Sequence, residues 1–514
     1  MARYSRIAFI LACITNLLGS GAQADRRDVL ITILHTNDLH GSVMPLECKG
    51  GLARIATLIR QIRADMPNVL LLDAGDIIHG TPEDYFSGGR ATISAMNATG
   101  YNIAVTGNHD YDFGLDTLQC VTSSACFPFL AANVHAASGG QWDSVGQYKV
   151  FNVDGIRIGV LGLTTMETVT LHWPGSIKDI TVDDPIATAE ALVPKVKSES
   201  DVLVVLSHLG IDKDYVLAKT VPGIDFIIGS HTHTVLNKLR RVGNTLIAQT
   251  GAYGKELGRI DFIVGQDEKG ARIASVNGVG GLWNRLRNPP LGKVYPKKAL
   301  IPVTDNIPED EAVKQAYLPY RAASDAHLGE VIASAKCAIP GGANESPAAD
   351  LTADAVRVLV GSDVAVVDAK SISCCGLPAG LICVKSAFDL IIGYTRQSIV
   401  VGRVTGQDLF NILSNAVSKN PYGWAISGAM ISYKIDKGKP KIIRLMIGSE
   451  PIDPARSYTI ASQAYVMMGI MSTFPHIEII AEPRDTTREA LISYLRTQKS
   501  ITPPPIGRIS LSVE

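Results

Sequence analysis

The chain has 514 residues, of which 46% are hydrophobic and 19% charged, and its formal net charge is -1. It is too long for one ordinary domain, and the composition is that of a well-cored globular protein rather than a disordered one. There is no basic stripe, which leaves a nucleic-acid polymer no electrostatic footprint, and past the N-terminus no apolar run is long enough for a transmembrane span.

The first residues read as an export signal. Arg3 and Arg6 give a short basic start. Ile7 to Leu18 form an apolar stretch too short to span a bilayer, and Ala22-Gln23-Ala24 is a small-residue cleavage site. Residues 1–24 are therefore predicted to be a signal peptide, and the mature chain to be periplasmic or extracellular. Apolar residues continue beyond Cys13, which argues against a lipid anchor there. Eight cysteines become seven without Cys13, an odd number that leaves a free thiol. Cys120 with Cys126 is the easiest local disulfide, and Cys374 with Cys383 could close a second loop.

Residues 25–300 are predicted to form the first domain. Strand-like and helix-like segments alternate through most of it, the pattern of a layered α/β unit. Helices are expected over Gly51 to Ala64, Ala91 to Ala98 and Pro185 to Ser200. Five β-branched apolar runs each end in a short polar motif. In chain order these are Asp38-Leu39-His40, Asp73-Ala74-Gly75-Asp76, Gly107-Asn108-His109-Asp110, Ser207-His208 and Gly229-Ser230-His231-Thr232-His233. Such runs are buried strands, and polar residues at their ends converge on one edge of a sheet, where α/β folds place ligand sites.

A glycine-rich stretch, Gly278 to Pro290, follows. Residues 301–329 are expected to form a linker, helical from Glu309 to Leu328. A second domain, residues 330–514, carries the apolar runs SDVAVVDA, QSIVVGRV and SYTIASQAYVM.

The five motifs supply carboxylate, amide and imidazole ligands without a thiolate, a set suited to two divalent ions such as Mn, Zn, Fe or Co. Asp76 is the best candidate for the anion shared between them. Asp38, His40 and His233 could complete one ion, and Asn108, His208 and His231 the other. His109 and Asp112 read as a non-ligand pair, the carboxylate holding the imidazole in one tautomer so that it can protonate a leaving oxygen. Asp73 is expected to be hydrogen-bonded rather than a ligand, Asp110 to cap the helix that follows, and His35 to be a core residue.

These motifs, as HTNDLHG, LDAGD, GNHDYDFG, SHLG and GSHTH, resemble those of the secreted 5′-nucleotidases. That family joins a calcineurin-like metallophosphoesterase domain to a C-terminal nucleotidase domain. The resemblance implies a four-layer αββα first domain followed by a smaller α/β domain. It implies one ion held by Asp38, His40, Asp76 and His233, another by Asp76, Asn108, His208 and His231, and a catalytic dyad of His109 and Asp112. It also implies phosphomonoester hydrolysis of a nucleotide by attack of a metal-bridged hydroxide. The second half departs from the pattern. Where the family has an Arg-bearing Asn-Gly-Gly-Ile-Arg segment, this chain has Val367 to Ser373, and an upstream Arg is replaced within Asn344-Glu345-Ser346. The ribose-binding Gly-Gly-Asp-Gly becomes Gly469-Ile470-Met471-Ser472. Tyr465 fits one of two base-stacking rings, and Tyr394, Tyr422 or Trp424 could supply the other; Lys370 and Arg396 are the available substitute cations. The alternatives are the same chemistry on a cyclic nucleotide, a nucleotide sugar or a non-nucleotide ester, and a binding protein derived from an enzyme.

Overall fold

The computed structural model describes residues 27–45, 50–137, 144–267, 270–276, 299–393, 398–483 and 485–512. The predicted signal peptide, the Gly278 to Pro290 stretch, Cys48, Tyr394 and Arg396 lie outside the described residues.

In the first half, two sheets face each other. One runs Gly270–Val276, Glu256–Asp267, Arg27–Thr36, Val69–Asp73, Ile103–Val105, Phe129–Leu130 and Val145–Gly146, with Leu300–Pro302 also paired to Glu256–Asp267. The other runs Arg240–Val242, Thr245–Ala248, Phe226–Gly229, Val202–His208, Ile156–Thr164 and Tyr148–Val153. Each has a parallel centre and antiparallel pairing at a flank. Parallel strands must be covered on both faces, and these are: Val202–His208 is buried at every position. Between the sheets, Ile31, Ile33, Leu72 and Val105 meet Val160, Val204, Leu206 and Ile228. The opposite face of the first sheet packs on helices Leu52–Asp65 and Arg90–Thr99, and that of the second on Pro185–Glu199 and Ile211–Thr220. The order is thus helix, sheet, sheet, helix, as the family resemblance implies.

Helix Glu311–Leu328 begins at Asp310, whose carboxylate accepts from the Val313 amide and from Arg60. Val313 and Tyr317 on this helix complete the first outer core. The second half is built on a sheet of Trp424–Ser427, Val364–Asp368, Ser457–Gln463, Ile399–Thr405 and Glu478–Ala481, flanked by smaller sheets and by helices such as Pro347–Val360 and Gly406–Lys419.

The two halves also meet through Tyr85. It sits in the second half's core, its hydroxyl 3.1 Å from Thr486 Oγ1. Beneath it lies Arg488, only 2% exposed, whose guanidinium is 4.1 Å from the Phe388 ring centroid. Arg488 donates to the carbonyls of Phe388, Ile391 and Gly393 at 3.1, 2.8 and 2.6 Å. Removing the guanidinium leaves those carbonyls without their donor, and one such loss costs about 1–3 kcal/mol. Arg488→Leu is therefore expected to destabilise the second half by roughly 3 kcal/mol, measured as a lowered Tm by calorimetry. An unchanged transition would contradict this account of the buried cation.

Cys120, Cys126, Cys337, Cys374, Cys375 and Cys383 are unpaired, so neither suggested disulfide is present. Cys120 belongs to helix Leu115–Ser124, while Cys126 lies beyond Ala125, where the chain has turned extended.

Candidate functional site

The five motifs meet where they were expected, on one edge shared by both sheets. Arg27–Thr36, Val69–Asp73 and Ile103–Val105 deliver the first three, and Val202–His208 and Phe226–Gly229 the other two. The loops lock to one another through backbone hydrogen bonds. Asp38 donates to the Gly75 carbonyl at 2.9 Å, His40 to Asp76 at 3.0 Å and Gly41 to Ile77 at 2.9 Å. Asp38, His40, Asp76, His231 and His233 all have φ between +46° and +72°. Asp and His tolerate this left-handed region better than most side chains, but each such residue still costs of order 1–3 kcal/mol.

The motif ligands form two groups of donor atoms, and His79, His109 and Asp112 form a third beside them. Asp38, His40 and His233 offer one ligand atom each, all within 4.8 Å of one another, and Asp76, His208 and His231 do the same. Asp76 Oδ2 stands between them, 3.2 Å from His208 Nε2 and 3.9 Å from His40 Nε2. Its Oδ1 accepts from the His109 amide at 2.9 Å. Asn108 Oδ1 lies 3.2 Å from His208 Nε2, and Asn108 Nδ2 is buried without a partner among the described residues. His208 donates Nδ1–H to the Ala74 carbonyl at 2.9 Å, which turns Nε2 toward Asp76 and Asn108. Asp38 Oδ2 accepts from Asn37 and Ser230 at 2.7 and 2.8 Å, so the carboxylate is aimed before any cation arrives. These residues fit two divalent cations by type, number and convergence.

Electrostatics divide the imidazoles: burial opposes a charge on His208, but Asp76 outweighs it and raises its pKa to about 10, so a cation at His208 would take the place of a proton. Burial would raise the Asp76 carboxyl, but His208 and His109 hold it well below the usual range. Burial dominates at His40, which falls to about 3 and is therefore neutral and able to ligate.

Beside the two groups, Asp112 gathers three imidazoles. His109 Nδ1 and His79 Nδ1 both lie 3.0 Å from its Oδ2, and His172 Nε2 lies 2.7 Å from its Oδ1. Burial opposes a charge on His109, but Asp76 and Asp112 outweigh it and raise its pKa to about 9. His109 Nε2 remains for another partner. His79, His172 and Glu167 escaped the sequence analysis. His79 carried a faint signal, lying three residues past the end of the LDAGD motif; the other two carried none.

Asp110 does not cap the following helix, whose N-cap is Gly114. Its carboxylate accepts from the amides of Gly107, Asp76, Ile77 and Ile78 and staples two motif loops together. Asp73 is hydrogen-bonded, to Thr36 and the Gly75 amide, and His35 is buried in the core. Tyr465 stands apart in the second half. It lines a cavity of about 380 Å³ with Asp368, Lys370, Lys419 and Trp424, and its hydroxyl donates to Asp368 at 2.9 Å. Tyr422 points elsewhere, bonded to Tyr433.

A calcineurin-like phosphoesterase profile matches residues 31–235, and a 5′-nucleotidase C-terminal domain profile matches residues 330–478. The chain belongs to the 5′-nucleotidase family. Among relatives of this nucleotidase-family chain, the trifunctional nucleotide phosphoesterase protein YfkN of Bacillus subtilis is 34% identical over 279 residues, 47% of this chain and 18% of that protein. The snake venom 5′-nucleotidase of Gloydius brevicauda is 34% identical over 278 residues, 48% of this chain and 47% of the venom protein. The chain thus spans at most about half the length of these relatives. The crystal structure of a 5′-nucleotidase precursor from Thermus thermophilus superposes with a TM-score of 0.65 at 25% identity, covering 95% of this chain and all of that one. The metallophosphoesterase half of the family is a two-metal unit, and this member carries the two matching residue groups.

Gly107 shows how tightly the site is built. A Cβ there would lie 2.1 Å from Asp76 Oδ1 and 2.4 Å from the Asp76 amide nitrogen. Gly107→Ala must therefore displace Asp76. The variant is expected to fold, because the clash is confined to the loops, and to bind fewer than two Mn²⁺ per chain by elemental analysis. Two retained equivalents at unchanged affinity would show that Asp76 is not held as described.

Proposed function

We propose that this protein is an exported, metal-dependent phosphomonoesterase that hydrolyses nucleotides or closely related phosphoesters. The observation that carries this reading is Asp76 Oδ2, faced at once by His208 and His40 from two separate ligand groups. Asp38, His40, Asp76 and His233 would hold one cation, and Asp76, Asn108, His208 and His231 the other. When bound, two cations offer Lewis-acid stabilisation to the attacking and leaving oxygens of an in-line phosphoryl displacement. The chain's own residues supply the rest. Asp112 fixes the tautomer of His109 through Nδ1, so that His109 Nε2 can give a proton to the departing oxygen or bind a charged phosphoryl oxygen. The leader-like sequence of residues 1–24 supports export.

Activity is expected to vanish on chelation and return with Mn²⁺ or another divalent ion. Full turnover in metal-free protein would end the two-metal reading. His109→Ala is expected to keep both metals and to lose roughly 10²–10⁴-fold in kcat on poor leaving groups, with a smaller loss on nitrophenyl phosphate. Loss of bound metal would make His109 a ligand instead.

A second reading keeps this chemistry and changes the substrate. The cavity beside Tyr465 carries Asp368, Lys370 and Lys419, and no arginine is among its described lining residues. Lys does not reproduce the bidentate grip of Arg, and a missing polar contact relaxes specificity more than a missing apolar one. Weak discrimination among nucleoside monophosphates, or preference for another ester, is therefore expected. The check is kcat/KM for AMP, GMP, UMP, a sugar phosphate and nitrophenyl phosphate on wild type and Tyr465→Ala. A strong AMP preference abolished by Tyr465→Ala would show an intact nucleoside clamp.

A further inference from the structure

The segment from Glu167 to Trp173 belongs to none of the five motifs, yet it touches both parts of the site and the second half of the chain. Glu167, at the start of helix Glu167–Leu171, has Oε2 3.0 Å from His231 Nε2. With Nε2 donating to that carboxylate, Nδ1 is the His231 nitrogen left for a cation. Five residues on, His172 donates Nδ1–H to the Thr168 carbonyl at 2.8 Å, which pins its ring to its own helix. Its Nε2 then reaches Asp112 Oδ1 at 2.7 Å. His79 and His109 both bond Oδ2, so among the described residues His172 alone holds Oδ1 and sets the plane of the carboxylate. Thr168 Oγ1 donates to the Thr165 carbonyl, tying the helix to the end of strand Ile156–Thr164. Trp173 follows at once, 8% exposed, and packs in the apolar core of the second half with residues such as Val400, Ile460 and Met467. Folding stability does not account for the Glu167 contact, because its side chain is 56% exposed and exposed ion pairs contribute little.

We infer that residues 167–173 form a positioning strap. Glu167 orients His231 toward the cation it shares with Asp76 and His208, and His172 orients Asp112 and through it His109. Trp173 ties both contacts to the second half of the chain. The two tasks sit on one five-residue helix and the residue that ends it, so a movement of the second half at Trp173 reaches the metal ligands and the proton donor together. The inference rests on the two-metal reading above and adds to it how the ligands and the dyad are held.

The test uses the full chain with Mn²⁺ as the probe. Wild type must first bind two Mn²⁺ per chain; fewer would fail the two-metal reading itself, before any variant is made. Glu167→Ala is then expected to weaken one of the two equivalents by roughly 10–100-fold and leave the other unchanged, as partners of metal-bound histidines usually do. Glu167→Gln keeps an acceptor and should recover most of that affinity. His172→Ala should bind both equivalents as wild type does, and lose at least about tenfold in kcat on an alkyl phosphate while sparing nitrophenyl phosphate. Trp173→Ala should show both defects in a protein whose circular dichroism is unchanged. Unaltered Mn²⁺ affinity in Glu167→Ala would overturn the inference. So would equal losses on the two esters in His172→Ala, or wild-type behaviour of Trp173→Ala.

Discussion

A carboxylate with almost no contact with water governs this structure. Asp76 is 1% exposed, and an uncompensated buried carboxylate costs several kcal/mol. Its compensation has to come from loops at the ends of separate strands. His208 arrives from the second sheet, His40 and the His109 amide from the first. Both sheets must therefore stop at one edge, and their loops must turn sharply enough to aim side chains back at a single point. The left-handed conformations of five candidate ligands are the backbone result of that demand.

What holds such strained loops is mostly backbone. The Asp38 and Asp76 loops zip together through amide-to-carbonyl bonds, and Asp110 gathers four amides from the loops around Asp76. Gly75 and Gly107 keep the approach free of side chains, where even a methyl group would collide with His208 or Asp76. Rigid loops of this kind set the ligand geometry in advance, so that cation binding has little reorganisation to drive.

The alternating layers and the strand-end motifs were legible in the sequence because they rest on local pattern. A buried parallel strand reads as an apolar run, and a strand end rich in Asp and His stands out against it. Hence Asp38, Asp76, His208, His231 and His233 could be named, and the structure brings them together. Contacts made across long separations left no such trace. Glu167 meets His231 across 64 residues and His172 meets Asp112 across 60, from a segment with no motif. Asp110 misled for the same reason. An Asp just before a helix looks like a cap, but three of its four partners lie 32 to 34 residues away. In the second half, Tyr465 and Trp424 do line one cavity, while Tyr422 is turned toward Tyr433, an orientation that aromatic spacing does not encode.

Helix Glu311–Leu328 bears on where this gene can be cut. Val313 and Tyr317 cover apolar residues of helices Leu52–Asp65 and Arg90–Thr99, and Asp310 is fastened to Arg60. A fragment ending at Pro302 would leave that face open to water and prone to self-association. One ending after Leu328 would carry its own cover. Any recombination that exchanges the second half for another is thus constrained to join beyond this helix, and the helix is inherited with the first half.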